Sequence, residues 1–550
     1  MEDKKNEVHN SAASLYSKLE SKRSPFLMRA RDCAKYTLPT LIKPTQTDDG
    51  GAINYPTPWQ GMGARGVNNL SSKLLLALFP PNSPFFKLQI DDFTLEQLTQ
   101  QEGMRAQVEE GLAKIERAVQ YEIEAGAIRV GVFEGVKHLV TTGNCLLYLP
   151  DSGGIRVFHL DRYVVQRDVY GNVLDIVVEE MVSPATLDAE TQAFLGYNTD
   201  ADKDKTDKEL DQDRNNLDRN KTVKIYTHVY LEGNKWEVYQ EAKGKQIPGS
   251  FGTYPKEKTP WIPVRFTRVD GEDYGRGYVE EYLGDIKSLD GLSQAIVEGS
   301  AIAAKTVFLV NPNGTTSARD LKESENGDIV EGLETDVSVL GLDKYNDYRV
   351  ALETINSINE RLSYAFLLNS SIQRSGERVT AEEIRYMANE LEAALGGIYS
   401  ILSQELQLPI VNRLMFSMER QKKLPVLPKG TVNPVIVTGM EALGRGNDLN
   451  KLQQFLQTIS STLGPEAMMT YINPSDAITR VGTALGIDTK GLVKSQEQIQ
   501  QEQQAAAQAQ QQQMMMEQGL APAINQVGNA VTQGMADGSK EALAARSQAQ

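Results

Sequence analysis

The stretch QRSGERVTAEEIRYMANELEAALGGIYSILSQELQLPIVN, from Gln373 to Asn412, sets the interpretation of the second half of this chain. Thr380 and Glu383 have the spacing of a capping box, in which a hydroxyl and a carboxylate satisfy backbone amides at a helix start. Apolar residues then recur at spacings of three and four along one helical face, at Ile384, Met387, Leu391, Leu395, Ile398, Leu402 and Leu406. The pattern predicts one helix of about 40 Å that ends at Pro409.

A polar segment precedes this helix. Residues 369–378 read NSSIQRSGER and show no apolar periodicity. A long rigid helix with a charged loop at its start suggests that the helix positions the loop for contact with another molecule.

The charge balance limits what the chain can bind. Its 550 residues are enough for roughly three to four domains, and the formal net charge is −16. A protein that wraps DNA tightly needs a basic face to neutralise phosphates. The acidic total therefore argues against tight, non-specific wrapping, although it does not exclude contact with DNA.

Cysteine use and hydropathy indicate the compartment. Cys33 and Cys145 lack the spacing of a disulfide framework or of a thiolate metal site. The amino terminus carries no apolar signal region. The best apolar run, Ala295 to Val310, is interrupted by Glu298 and Lys305 and is too short to span a bilayer. The sequence predicts a soluble protein of a reducing compartment.

The first 273 residues mix helical and strand patterns, which predicts an α+β body. Two short helices, divided at Ser24-Pro25, are expected over 10–38, and Gly126 and Gly131 are expected to break helical periodicity over 94–142. A further helix is predicted over 61–79, and strands over 85–90, 145–150, 155–160, 163–168, 173–180, 223–231, 235–241 and 262–269. Gly171-Asn172 marks a hairpin turn. The charged segment 198–222 is predicted to be a solvated or disordered insertion.

The middle of the chain predicts two helices around a small β-containing insert. Residues 277–305 are rich in Gly, Ala and Ser, and their apolar positions predicted to face inward are Leu289, Leu292, Ile296 and Ile302. Short β-like runs follow within 306–345. Helical periodicity returns at Tyr348, Leu352, Ile355, Leu362 and Phe366. Small residues let neighbouring helices pack closely, within one chain or between subunits.

Shorter helices are predicted beyond Pro434, one of them starting at Asn473-Pro474. The segment from Gln496 to Gln513 is dominated by Gln. Such a segment is marginal as an isolated helix, but it can form one when many copies lie side by side.

Motifs that could carry chemistry have structural explanations. Gly61-Met-Gly-Ala-Arg-Gly66 fits G-x-G-x-x-G, but it does not follow a strand, so a glycine-permitted tight entry to a helix is favoured over dinucleotide binding. The chain has no G-x-x-x-x-G-K-[ST] phosphate loop, and its four histidines lack metal-ligand spacing. The sequence thus predicts no cofactor, no metal and no enzymatic activity.

Three segments together carry a family resemblance: Gln373–Asn412, TPWQGMGARGVNNLSSKLLLALFP (57–80) and YGRGYVEEYLGDIKSL (274–289). They resemble the head-to-tail connector, or portal protein, of short-tailed bacteriophages, and the resemblance covers most of residues 10–450. It implies an α+β portal fold with these parts: wing 1–273, first stem helix 274–305, β-containing clip 306–346, second stem helix 347–368, tunnel loop 369–380, long wing or crown helix region 381–438, helical crown 439–494 and Gln/Ala-rich tail 495–550.

The resemblance also implies a function. Portal proteins form rings, usually twelve-fold, at one vertex of the procapsid, and ring closure requires two different complementary faces per subunit. The implied partners are viral double-stranded DNA in transit, the terminase large subunit, tail adaptor and tail tube proteins, scaffold and major capsid proteins, and internal core proteins. The implied location is the virion, after assembly in the host cytoplasm, with no membrane partner.

Two sets of residues follow from the resemblance. The tunnel loop would place Arg374, Glu377 and Arg378 in the DNA channel. The stem would pack against neighbouring subunits through Leu292, Ile296, Gly299, Leu352 and Ile355. An acidic channel with a few basic residues would let DNA slide, because each neutralised phosphate adds salt-dependent affinity.

Two other classes of protein are considered. An internal scaffold or core protein of the capsid is favoured by the Gln-rich tail and opposed by the large β-containing body. A DNA-processing enzyme subunit, such as a nuclease or ATPase, is opposed by the missing phosphate loop and metal cluster.

Overall fold

A computed structural model describes most of the chain. The described residues are 11–44, 53–81, 85–89, 104–195, 222–303, 308–339, 345–368, 381–395, 397–424, 435–438, 445–464 and scattered positions between 472 and 509. The chain divides into two compact units, one of Met1–Gln100 and Gly111–Gly444, the other of Gln101–Glu110 and Arg445–Gln550. The charged insertion lies outside the described residues at 198–221, and the whole predicted tunnel loop (369–380) lies outside them. Most of the predicted crown and tail lies outside them as well.

The helices are α1 Ala12–Lys35, α2 Met62–Leu78, α3 Met104–Ala125, α4 Ile128–Thr142, α5 Ala189–Phe194, α6 Tyr278–Glu281, α7 Leu283–Ala303, α8 Ala318–Glu323, α9 Tyr345–Ala365, α10 Ala381–Leu395, α11 Ile398–Leu402, α12 Leu408–Arg420 and α13 Arg445–Leu463. The strands are β1 Phe86–Gln89, β2 Asn144–Tyr148, β3 Arg156–Phe158, β4 Tyr163–Arg167, β5 Val173–Val182, β6 Val223–Glu232, β7 Lys235–Ala242, β8 Lys245–Gln246, β9 Gly252–Pro255, β10 Trp261–Arg265, β11 Phe308–Val310, β12 Val337–Val339 and β13 Val435–Thr438. Helices and sheets thus share the chain, as the α+β prediction requires.

The main sheet of the first unit is antiparallel. Its order is β4-β5-β6-β7-β8, and β9 pairs with β7. The β4–β5 hairpin turns at Gly171, whose φ of +86° suits glycine, and Asp168 accepts hydrogen bonds from the backbone N–H groups of Tyr170 and Asn172. The hairpin predicted at Gly171-Asn172 is confirmed. A second sheet has the order β10-β2-β3.

Both faces of the main sheet are covered, so its strands bury residues of both parities. Val164 and Val177 pack in one apolar cluster with Tyr16 of α1, while Val165 and Ile176 pack in another with Leu27 of the same helix. Helix α1 therefore contributes to both layers of the core, and the body is built around it.

The prediction of two short helices over 10–38 is wrong, because α1 continues through Pro25. A proline inside a helix removes a backbone hydrogen bond and costs about 3 kcal/mol or more. Packing offsets that cost, since Arg23 is fully buried and its Nη1 donates to the carbonyls of Leu160, Asp161 and Tyr163.

Glycine positions also depart from expectation. Helices α3 and α4 separate at Gly126 as predicted, and Ala127 takes a left-handed φ of +51° there. Gly131, predicted as a second break, lies inside α4 against Ile155, where no side chain could fit. Gly131 therefore allows α4 to pack closely against Ile155, the residue that precedes β3.

The single long helix predicted from Thr380 to Pro409 is a series of shorter pieces. Gly397, at φ +89°, starts α11, and a π-helical turn over Ser403–Gln407 leads into α12. Pro409 does not end the segment but lies in the first turn of α12, where its missing N–H costs nothing. Burial explains the arrangement, because Tyr399, Leu402 and Leu406 all enter the core.

Candidate functional site

The most distinctive feature outside the body is a helix pair, α7 and α9, that pack on each other. Gly299 of α7 lies against the ring of Tyr348 on α9, and a Cβ added at Gly299 would come within 2.7 Å of the tyrosine Cζ. Arg361 Nη2 also bonds to Asp285 across the pair at 2.8 Å. The structure thus gives Gly299 a contact within its own chain, whereas the sequence assigned it to contacts between subunits.

The helix pair is anchored in the body next to the end of α9, through Phe366, which is fully buried. The Phe366 ring meets Tyr278 edge-on at a centroid distance of 5.6 Å, and Tyr278 donates its hydroxyl hydrogen to the Ala365 carbonyl at 2.9 Å. Gly66 of α2 faces Phe366 so closely that an added Cβ would lie 2.7 Å from the ring Cγ. The G-x-G-x-x-G motif therefore serves packing in this structure.

Helix α2 also holds the end of α9. Asn69 Nδ2 donates to the carbonyls of Phe366 (2.9 Å) and Leu367 (3.1 Å), and Lys73 Nζ donates to the Leu367 carbonyl at 3.0 Å. Leu367 itself has a left-handed φ of +54°, unusual for a branched residue. The chain thus makes a fixed turn immediately before the predicted tunnel loop.

The predicted channel residues Arg374, Glu377 and Arg378 lie outside the described residues. The boundaries assigned to the wing, stem, clip and crown stay predictions, although α7, α9 and the small sheet between them follow the predicted chain order.

Several large apolar side chains of the pair are exposed in the single chain. Ile358 and Leu362 of α9 are buried, whereas Leu352 is 52% exposed and Ile302 of α7 is 54% exposed. The inward orientation predicted for Ile302 is therefore wrong for a single chain, because a two-helix layer covers only one face of each helix. Leu292, Ile296 and Ile355 are half-buried. Other exposed apolar side chains of the pair are Val297, Val350 and Tyr364.

A small subdomain joins α7 to α9. Strands β11 and β12 pair in antiparallel register with Phe308 opposite Val339. Asp336 ties the fold together by accepting hydrogen bonds from the backbone N–H groups of Thr315 (2.7 Å) and Thr316 (3.1 Å). The bond from Thr315, followed by that from Thr316, lowers the pKa of Asp336. The subdomain is thus held by polar contacts more than by a core.

The surface of this subdomain is acidic and apolar together. Residues 308–339 contain the basic side chains Arg319 and Lys322 and the acidic side chains Asp320, Glu323, Glu325, Asp328, Glu331, Glu334 and Asp336. Its large exposed apolar side chains are Phe308, Leu309, Ile329 and Leu333, and Ile329 is 98% exposed. Exposed apolar groups of this kind mark interaction surfaces. Sequence periodicity could not find them, because it does not tell inward from outward in such short elements.

The buried titratable groups lie in the body. Burial lowers the pKa of His138 to about 4, and burial with the neighbouring His138 lowers the pKa of His159 to about 3, so both are neutral at physiological pH. Burial raises the pKa of the Cys33 thiol to about 12. Across the described residues, no group of three or more His, Cys, Asp or Glu side chains has the geometry of a metal site. Nor does any described helix combine the length and apolar character needed to cross a membrane.

Comparisons with known proteins place this geometry in context. A family model described as bacteriophage head to tail connecting protein matches residues 9–493. The portal protein of Escherichia phage T7 is 44% identical over 501 residues, covering 90% of both chains. The portal protein of Enterobacteria phage T3 is 44% identical, covering 89% of both, and that of Enterobacteria phage SP6 is 32% identical, covering 88% of this chain and 90% of the relative.

Among solved structures, a chain from the virion of a native gene transfer agent particle is 10% identical, with a TM-score of 0.31, over 78% of this chain and 90% of that chain.

Proposed function

This chain belongs to the family of bacteriophage head to tail connecting proteins and is a portal-type connector of the phage virion. We propose that its copies close into a ring around a DNA channel. One observation supports the ring most directly. Large apolar side chains on α7, on α9 and on the subdomain between them are left exposed by the chain's own fold. Contact with neighbouring copies would bury them.

The proposed subunit contacts use both helices of the pair. A closed ring of identical copies needs two different complementary faces, and the exposed residues Val297 and Ile302 on α7 differ from Val350 and Leu352 on α9. We assign subunit packing to Leu292, Ile296, Leu352 and Ile355. Gly299 contributes by letting α7 and α9 approach, which sets the angle at which the pair meets its neighbours.

The proposed channel is acidic overall, in keeping with the net charge of −16. Few phosphates would be neutralised at one time, so DNA would slide without being held. Arg374 and Arg378 of the tunnel loop would touch passing phosphates, and Glu377 would limit how strongly they hold.

The predicted clip (306–346), whose residues 308–339 form the subdomain described above, is the proposed docking end. Its exposed apolar side chains suit a partner that buries them, and its acidic surface suits a partner with basic groups. We propose the terminase motor as the partner during packaging and tail adaptor proteins afterwards. Scaffold, major capsid and internal core proteins are the proposed partners of other surfaces, and no catalytic role is assigned.

Imaging of the purified full-length protein tests the ring. Negative-stain images should show rings with a central hole, and mass measurement should give twelve copies. Leu352→Asn should weaken assembly by about 1 kcal/mol per contact, repeated around the ring. Val169→Asn removes an exposed apolar side chain of the body and should leave assembly unchanged. A compact monomer at micromolar concentration would contradict the proposal.

A further inference from the structure

A cleft in the body is independent of the stem and clip. Its volume is about 690 Å³, and it is lined by the β4–β5 turn, by strand β10 and by the segment from the π-helical turn into α12. Its lining includes Arg167, Gly171, Arg265, Arg268, Glu405 and Trp261. π-helical turns are rare and are often found at functional sites.

Three guanidinium groups converge on the turn at Gly171. Arg167 Nη1 donates to the Gly171 carbonyl at 3.0 Å. A Cβ added at Gly171 would lie 3.1 Å from Arg268 Nη2 and 3.2 Å from Arg265 Nη2. The absence of a side chain at position 171 therefore lets both guanidinium groups pack against the turn, where Arg268 Nη2 also donates to the Tyr170 carbonyl at 3.3 Å.

One carboxylate lies within ion-pair distance of two of these guanidinium groups. Glu405, carried by the π-helical turn, accepts from Arg265 Nη2 at 2.9 Å and lies 3.6 Å from Arg268 Nε. The guanidinium of Arg167 donates to backbone carbonyls, of Asp273, Gly171 and Pro263. The Asp273 carboxylate accepts instead from the backbone N–H of Arg167. The Asp168 carboxylate is engaged by the amides of its own turn.

The cleft lining carries an excess of positive charge. Four cations, Arg167, Lys256, Arg265 and Arg268, face two anions, Glu257 and Glu405, which leaves an excess of two. Lys256 and Glu257 are exposed and offset one another. The remaining excess belongs to the three arginines, in a protein whose net charge is −16.

Two of these arginines have little solvent to stabilise their charge. The side chain of Arg265 is 3% exposed, and its buried Nε has no hydrogen-bond partner. Burial, followed by the neighbouring charge of Arg265, lowers the pKa of Arg167 to about 10, which still leaves it charged at neutral pH. Like charges held together in a partly buried site favour the binding of an anion.

The rest of the lining sets the size and character of that anion. The volume falls within the range of ligand pockets, roughly 300–1,000 Å³, and Trp261, Ile262, Leu408 and Pro409 supply apolar walls. An excess of two positive charges matches a phosphate monoester dianion better than a single carboxylate. Guanidinium forks also suit phosphate geometry.

We propose that this cleft binds a phosphate dianion, with Arg265 and Arg268 holding the phosphate beside Gly171 and the apolar walls facing any organic group attached to it. The source of the phosphate is either free inorganic phosphate or a nucleoside monophosphate.

Titration calorimetry on the purified full-length protein tests the proposal, in chloride buffer at constant ionic strength. Inorganic phosphate and deoxyadenosine monophosphate are titrated separately. Saturable binding with one site per chain is expected. Tighter binding of the nucleotide identifies a nucleotide site, and equal affinities identify a site for phosphate itself. Absence of saturable binding for both at millimolar concentration overturns the proposal.

Three variants locate the binding. Arg268→Ala, at a half-exposed position, should weaken affinity about tenfold. Glu405→Gln removes the competing carboxylate and should strengthen affinity, with the melting temperature showing that the variant is folded. Arg319→Ala removes an equal charge from the clip and should change nothing. An equal loss in Arg319→Ala and Arg268→Ala, or no loss in Arg268→Ala, shows that the cleft is not the site.

Discussion

The body differs in construction from the helix pair α7–α9 and the subdomain 308–339, which are the proposed stem and clip. The body has a six-stranded sheet covered on both faces, and its buried side chains come from elements far apart in the chain. The stem has two helices in a single layer, and the clip has a two-stranded sheet with no buried apolar cluster among its described residues. Burial within the chain stabilises the body, whereas the stem exposes several of its largest apolar side chains.

This difference in burial indicates which region depends on neighbouring subunits for part of its stability. Burying a large apolar side chain is worth about 1.5–3 kcal/mol, so a region that leaves Leu352 and Ile302 half exposed forgoes part of that stabilisation as a single chain. Substitutions in the body should therefore change the folding of each chain, and substitutions in the stem should change assembly more than folding.

Arg23→Ala should have the largest effect on folding. It removes a buried cation whose Nη1 donates to three backbone carbonyls and the Tyr16 hydroxyl, and each buried acceptor left without a partner costs about 1–3 kcal/mol. Urea unfolding followed by tryptophan fluorescence measures it, because Trp236 and Trp261 lie in the body core. Arg319→Ala, an exposed arginine of the clip, should stay within about 0.5 kcal/mol of wild type. If Arg23→Ala unfolds at the same urea concentration as wild type, burial within the chain is not what distinguishes the body from the stem.

Gly66→Ala probes the joint between the two regions. The added Cβ would press on the ring of Phe366, and overpacking of this kind costs about 1–3 kcal/mol. The measurement is the thermal unfolding midpoint together with the fraction of protein in rings. Gly61→Ala is the matched control, since nothing lies within 4 Å of its Cβ position and its φ is −103°. If both variants behave alike, the anchor at Phe366 is not what joins the stem to the body.

Gly299→Leu should act on the stem while sparing the body. The new side chain would displace Tyr348 and separate α7 from α9, at about 1–3 kcal/mol per site. Rings should dissociate at a lower temperature, while tryptophan fluorescence of the body changes little. A Cβ added at Gly291 on the same helix meets no atom within 4 Å in the chain, so Gly291→Leu serves as control. Rings of Gly299→Leu as heat-stable as wild type would contradict the proposed packing.

Replacing Arg374 and Arg378 together by Ala should have the smallest effect on stability. Surface substitutions of this kind usually change unfolding by less than about 0.5 kcal/mol, so rings should stay intact. DNA retention or packaging yield should fall, with the salt dependence of phosphate contacts. Glu377→Lys should instead slow translocation by strengthening those contacts. Wild-type packaging and retention in both variants, at low and high salt, would place the loop outside the mechanism.

Much of the body could be predicted from the sequence, because runs of β-branched and other apolar residues bounded by turn residues are local signals. The β4–β5 hairpin, with glycine at its turn, is one example. Pro25 was misread because the signal for continuing the helix lies in the contacts of Arg23, more than a hundred residues away in the chain. Local sequence cannot supply contacts of that range.

The segment after residue 380 shows a different limit. Its apolar spacing was correct, but the Gly396-Gly397 pair was a readable signal for the break that Gly397 makes at φ +89°. Pro409 was read as a stop, although proline is also favoured in the first turn of a helix. In the stem, the spacing that placed Ile302 inward does not specify whether the covering neighbour belongs to the same chain or to another copy.

The two hydrogen-bonding side chains at the end of α9 have a mechanical consequence. Asn69 and Lys73 both hold the carbonyl of Leu367, and Asn69 also holds that of Phe366, from a helix that is itself packed against α4. A pull or twist applied to the chain beyond Leu368 is therefore passed to α2 and on into the body, and it does not have to be borne by unwinding the last turn of α9. The load therefore reaches a helix that is packed into the body.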